Sequence, residues 1–174
     1  MTADTDFTEV VKFHGHTCPG VTIGYRMAKA AMNRLSEKRS EDEEIVAIVE
    51  NNACGVDAVQ VLTGCTFGKG NFIFRDYGKQ VYTFYSRNAG KGYRVLFHGN
   101  KIPEGARGNR EAMTQWLINA EEEDIIEITE VDIEEPDPAE MVPSAMCEYC
   151  GEMVMETRTE KIDGKIACIP CSKI

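Results

Sequence analysis

Two groups of thiol and imidazole side chains stand out by spacing. The stretch "FHGHTCPG", residues 13–20, places His14, His16 and Cys18 within five positions and closes on Pro-Gly. Near the other end, Cys147-x2-Cys150 is followed after 17 residues by Cys168-x2-Cys171. Thiolate sulfur and neutral imidazole nitrogen are transition-metal donors. A two-residue gap lets both sulfurs of a pair grip one tetrahedral ion, so the four late cysteines read as a structural Zn²⁺ site. The early set reads as half of a second site. An alternating His-x-His-x-Cys in extended backbone would put its donors on one side. Cys54, in "NNACGVDAVQVLTG", offers the missing half if the fold brings it alongside. With three or fewer protein donors, one coordination position stays open, as catalytic metals need.

A lone buried cysteine is more often a small apolar filler, and it is the combination here that points to function. Cys18 and Cys54 each stand at the start of an expected helix. There the unpaired N–H groups favour negative charge and should lower the thiol pKa. Asp57, three residues past Cys54, either orients a ligand or adds charge to a first turn. Cys65 follows a helix stop and is either a supporting neighbour of the site or core.

The elements that must position these groups follow from periodicity. Pro19 opens a helix to about Ser36, with Tyr25, Ala28, Met32 and Leu35 on its apolar stripe. "EIVAIVEN", 44–51, reads as a buried strand. A second helix starts at Asn52 or Cys54, turns Val56, Val59 and Leu62 inward and stops at Gly64. "NFIFRDYGKQVYTFYSR" reads as an antiparallel hairpin turning at Gly78-Lys79. A strand at 93–99, a helix from Asn109 and a strand in "IIEITEV" complete the series. The expected class is α+β, a mostly antiparallel sheet packed with helices, plus a small zinc-ribbon domain. The expected divisions are 1–133 for the core, 134–146 for a Pro-containing acidic linker and 147–174 for the zinc domain. A hairpin turning at Asp163-Gly164 should join the two cysteine pairs. So short a domain cannot hold itself by apolar burial alone, and metal would supply its folding energy.

The chain carries 29 acids against 19 Lys and Arg, a formal charge of −10. Eleven of those acids fall in residues 121–140, leaving 18 against 19 elsewhere. That balance disfavours a nucleic-acid grip. No apolar run approaches the roughly 20 residues of a membrane span. The first residues have no basic start or apolar stretch of a secretory signal. The expectation is a cytoplasmic protein whose seven cysteines serve metal or thiol chemistry rather than disulfides. No GxGxxG or Walker-type run is present, and "FGKG", 67–70, reads as a structural turn.

Taken together, "FHGHTCPGVTIGYRMAKAA", "NNACGVDAVQVLTGCTFGKGNF" and "CEYC…CIPC" resemble the FmdE family, named for the E subunit of formylmethanofuran dehydrogenase. The resemblance implies an α+β core with a metal-containing active site, a zinc-finger-like C-terminal domain and a homodimer. By matched motif it points to His16, Cys18 and Cys54 as catalytic, with His14 beside them. The core metal would be Zn, Ni or Fe, and the role an oxidoreductase-associated subunit in one-carbon metabolism. Partners would be other dehydrogenase subunits, or a protein docked through the zinc domain. The alternative is a metal-handling or regulatory binding module.

Overall fold

The computed structural model describes residues 5–173 and divides into two compact units, Met1–Pro138 and Ala139–Ile174. The first unit runs α1 (Thr5–His14), α2 (Pro19–Leu35), β1 (Ile45–Val49), α3 (Gly55–Thr63), β2 (Phe72–Phe74), β3 (Val81–Ser86), β4 (Lys91–Phe97), α4 (Arg110–Asn119), α5 (Glu122–Ile125) and β5 (Ile126–Val131). Its five strands lie in the order β2-β1-β3-β4-β5. Only β1 and β2 are parallel, and the other neighbours are antiparallel. This is the expected α+β class.

Helix α2 lies across this sheet, against β3 and β4 and between α3 and α4. Its start is set by Cys18, an extended residue whose Sγ accepts from the Val21 N–H at 3.4 Å, with Pro19 next. A cap of this kind satisfies one of the first-turn N–H groups that no helix can satisfy internally. Met27, Ala31 and Leu35 then meet Ile45, Val49, Val59, Phe84 and Leu117 in the main core. The Arg26 guanidinium donates to the carbonyls of Leu117 and Ala120, tying α2 to the end of α4. Helix α3 stops at Gly64, where φ is +73° and a Cβ would lie 2.3 Å from the Ser40 carbonyl oxygen. Glycine alone fits both conditions.

The chain departs from expectation in three places. Residues 5–14 form a helix that stands outside the expected series. The hairpin across Gly78 does not exist: β2 pairs with β1 and is parallel to it, while β3 takes the other edge of β1. Helix α3 lies between β1 and β2 in sequence and supplies the crossover a parallel pair needs. Gly78 does turn, with φ +66°, but within a loop whose Tyr77 and Lys79 N–H groups donate to the Glu50 carbonyl. Finally, the stretch expected as linker is partly built into structure. Arg87 holds Glu135 and the carbonyls of Pro136 and Asp137. Ser144–Met146 forms a strand.

The second unit has two small antiparallel hairpins, β6 (Ser144–Met146) with β7 (Met153–Met155) and β8 (Thr159–Ile162) with β9 (Lys165–Cys168). One helical turn follows, α6 (Ile169–Ser172). Asp163 and Gly164 join β8 to β9 with φ +49° and +81°, the two left-handed residues of a two-residue hairpin turn. Among the described residues, no helix is long and apolar enough to cross a membrane.

Candidate metal centres

In the first unit the donors converge through a helix end rather than through the extended alternation expected. His14 is the last residue of α1, and Gly15 reverses the chain with φ +90° while its N–H donates to the Val11 carbonyl at 2.8 Å. The chain then reaches back towards Cys18. The ligand atoms of His14, His16 and Cys18 lie within 4.8 Å of one another. The two imidazole centroids are 4.5 Å apart. Asp57, on α3, places Oδ2 2.7 Å from His14 Nδ1, and His14 Nε2 lies 3.9 Å from Cys18 Sγ. With Nδ1–H donating to the carboxylate, Nε2 keeps its lone pair for an ion. A carboxylate behind a ligating histidine is the usual way to fix ring orientation and tautomer.

Cys54 reaches this corner because α2 and α3 cross at backbone contact. A Cβ at Gly24 would lie 2.2 Å from the Gly55 carbonyl oxygen, so only glycine admits the crossing. One turn earlier, a Cβ on Gly20 would lie 3.7 Å from Cys54 Sγ and 3.8 Å from Cys18 Sγ. Both sulfurs therefore face the same small volume. Cys54 stands beside the three-donor group and is not itself a member of it. It does not cap α3: its backbone is helical, its side chain makes no cap bond, and Asn51 Oδ1 accepts from the Ala53 N–H instead. Its pKa is raised, not lowered as expected at a helix start. Desolvation raises it first, and the adjoining Cys18 thiol adds to that. Cys18 itself is buried at 4% exposure, while Cys54 is exposed.

Cys65 sits apart from these groups. It is fully buried in the main core, donates to the Ile45 carbonyl at 3.2 Å, and has its pKa pushed up to about 11 by burial. Cys18 instead belongs to a separate apolar cluster with Val10, Val21, Tyr25 and Ala58. Sequence reasoning missed Gly20, Gly24 and Gly55. The Gly-x3-Gly spacing inside "PGVTIG" was the available signal, since small residues one turn apart permit close helix approach. It also missed Tyr82, for which the sequence carries no signal.

In the second unit, the sulfurs of Cys147, Cys150, Cys168 and Cys171 lie within 4.8 Å of one another. The first pair is held by a knuckle in which the Gly151 N–H donates to the Cys147 carbonyl at 2.8 Å, with Gly151 at φ +77°. The second pair is tied to it by the Cys168 N–H donating to Cys147 Sγ at 3.3 Å. Backbone N–H groups at Cys150 and Cys168 bring the Cys147 thiol down to about 6. A cluster of four sulfurs with one already biased to thiolate can hold a metal ion such as zinc.

Comparisons with known proteins agree with the overall arrangement. The family model described as "FmdE, Molybdenum formylmethanofuran dehydrogenase operon" matches residues 13–158. A probable S-adenosyl-L-methionine-binding protein of Archaeoglobus fulgidus is 33% identical over an alignment of 189 residues, covering 92% of this chain and 50% of the relative. The chain thus spans about half the length of that curated relative. From Syntrophus aciditrophicus, the crystal structure of a protein like FmdE, the E subunit of tungsten formylmethanofuran dehydrogenase, superposes with a TM-score of 0.68 at 26% identity. The superposition covers 95% of this chain and 90% of that one.

Proposed function

The chain belongs to the FmdE family, and on that premise we propose that it is a metal-dependent enzyme or enzyme subunit. Its site is formed by His14, His16, Cys18 and Cys54, with Asp57 orienting His14. The observation that carries this reading is the convergence of two imidazoles and a thiol within 4.8 Å, with a carboxylate 2.7 Å behind one imidazole. A cysteine kept only as apolar filler needs neither. The donor set, nitrogen with sulfur and an exposed second thiol beside it, fits a borderline ion such as zinc, nickel or iron. When bound, such an ion supplies a Lewis acid or a redox centre with a position open to substrate. The chain's own residues supply the donors, the fixed tautomer of His14 and the open side at Cys54. His16 and Cys54, the exposed members, face the substrate, while Cys18 anchors from below.

The four-cysteine unit carries a structural zinc in this reading. The protein works as a homodimer in the cytoplasm, alone or beside other dehydrogenase subunits, in one-carbon metabolism. Elemental analysis tests it. Wild-type protein should carry about two ions per chain and Cys18→Ser about one, the zinc of the second unit. An unchanged metal content in Cys18→Ser would sink the core site.

A second reading, a binding or regulatory module without turnover, is favoured by the name of the Archaeoglobus relative. S-adenosyl-L-methionine is then the ligand to try. A cleft of about 660 Å³ between α1, α2 and α3, with Phe13, Met32 and Leu62 among its walls, is of ligand size. Calorimetric titration with S-adenosyl-L-methionine separates the two readings. Tight binding with no metal in the core favours the module.

A further inference from the structure

Tyr82 is a central-strand residue with 0% exposure, yet its hydroxyl has no hydrogen-bond partner. Its ring meets Phe84 edge to face inside the core, a role phenylalanine fills without a polar atom. Burying an unpaired hydroxyl costs stability, so a tyrosine here asks for a partner that the protein chain does not provide. The hydroxyl lies at the α2–α3 crossing, 2.6 Å from where a Gly55 Cβ would stand. Gly55 directly follows Cys54. The same imagined Cβ lies 3.1 Å from the Gly20 carbonyl oxygen, two residues after Cys18. Asn51 is the polar side chain that acts on this phenol, but its amide nitrogen donates to the Lys79 carbonyl and to Gln80 Oε1, its Oδ1 accepts from the Ala53 N–H, and neither atom lies at hydrogen-bond distance from the tyrosine hydroxyl. Burial drives the phenol up to about 12, which keeps it protonated and a donor at neutral pH.

Two helix starts meet at this point. In the 17-residue α2 and the 9-residue α3, the N–H groups of Val21, Thr22, Val56 and Asp57 are taken by Cys18 Sγ and by the Cys18, Ala53 and Cys54 carbonyls, which leaves those of Gly20 and Gly55 at the crossing. Such groups favour an anionic oxygen. The donors left at the crossing are the Tyr82 hydroxyl and the Gly20 and Gly55 N–H groups, and among the described residues none lies at hydrogen-bond distance to accept from the tyrosine.

We propose that the Tyr82 hydroxyl is a binding donor for a substrate oxygen at the Cys18–Cys54 corner, and that the substrate class is a small carboxylate. The proposal rests on the corner being the active site, as argued above, but it is tested by a different readout. Crystal structures of the full-length protein are compared with and without acetate, alongside Tyr82→Phe. The expected result is a non-protein oxygen about 2.6–3.0 Å from the Tyr82 hydroxyl, contributed by acetate in the soaked crystal and absent from Tyr82→Phe. Acetate affinity, read by calorimetry, should fall about tenfold in Tyr82→Phe, the loss of one hydrogen bond. Urea unfolding of that variant should show no loss of stability, because a buried orphan is removed.

Three results overturn the proposal. One is Tyr82 bonded to Asn51 with no external oxygen. Another is a bound water that acetate never displaces. The third is a Tyr82→Phe variant whose acetate affinity is unchanged. Failure of the metal reading is seen separately, as the absence of a second ion in elemental analysis, and leaves these measurements decisive.

Discussion

The two cysteine-bearing sites are built on opposite plans. In the second unit every ligand comes from a knuckle of two neighbouring cysteines, and each knuckle is shaped by local backbone such as Gly151 at φ +77°. In the first unit the proposed donors come from the end of α1, the turn before α2 and the start of α3. Cys54 comes up beside the other three only because Gly24 and Gly55 let α2 and α3 touch. The lesson is that a short-range site depends on its metal for structure, while a long-range site depends on the structure for its metal. Loss of the ion should unfold the first kind and leave the second kind folded.

The largest effect should come from Cys147→Ser or strong chelation. Residues 139–174 should lose their ordered structure, since structural zinc contributes on the order of 10 kcal/mol to folding so small a piece. The first unit should keep its cooperative unfolding transition. Backbone NMR or limited proteolysis reads both, and a second unit that stays ordered without metal would erase the contrast. Next in size is Gly24→Ala. A methyl 2.2 Å from a backbone oxygen should force the helices apart. The cost should be about 1–3 kcal/mol in urea unfolding, with loss of the core ion and retention of the other.

Smaller again is Asp57→Asn. The fold should survive, and core metal affinity should drop about 10- to 100-fold, as measured by competition with a chromophoric chelator. Cys54→Ser should also release the core ion and spare the second unit. A variant that keeps both ions would leave Cys54 outside the site.

The smallest expected effect concerns Cys65, which sharpens the comparison by belonging to neither site. Its folded pKa of about 11 lies above the ordinary 9.0. Between those values the unfolded chain has lost the proton and the folded chain has kept it, so stability should fall as pH rises through that window. Below pH 9 the thiol should add no pH dependence. Cys65→Ala should flatten the alkaline slope, and iodoacetamide should leave Cys65 unmodified in the native protein at about pH 8.

Much of this was legible from residue order. Asn109 capping α4, Pro19 opening α2 and the Asp163-Gly164 turn are local events, set within a few residues by sterics and hydrogen bonds. The misjudged hairpin shows where legibility stops. "NFIF" and "QVYTFYS" carry ordinary strand signals, and Gly78 carries an ordinary turn signal. Which strand pairs with which is decided by competition for the edges of β1, far away in sequence. The same applies to Cys54: a helix start by itself lowers a thiol pKa, and here desolvation and the approach of Cys18 reverse the direction.

The sequence by itself determined the zinc-type spacing, the apolar stripes and the residue types able to bind metal, because these depend on neighbours along the chain. Only the tertiary structure decided that His14 leans on Asp57, that Cys65 is core, and that Tyr82 ends unpartnered beneath two helix starts. The last of these rests on the glycine-sized gap at which α2 and α3 cross, and a crossing distance is a property of two surfaces rather than of one segment.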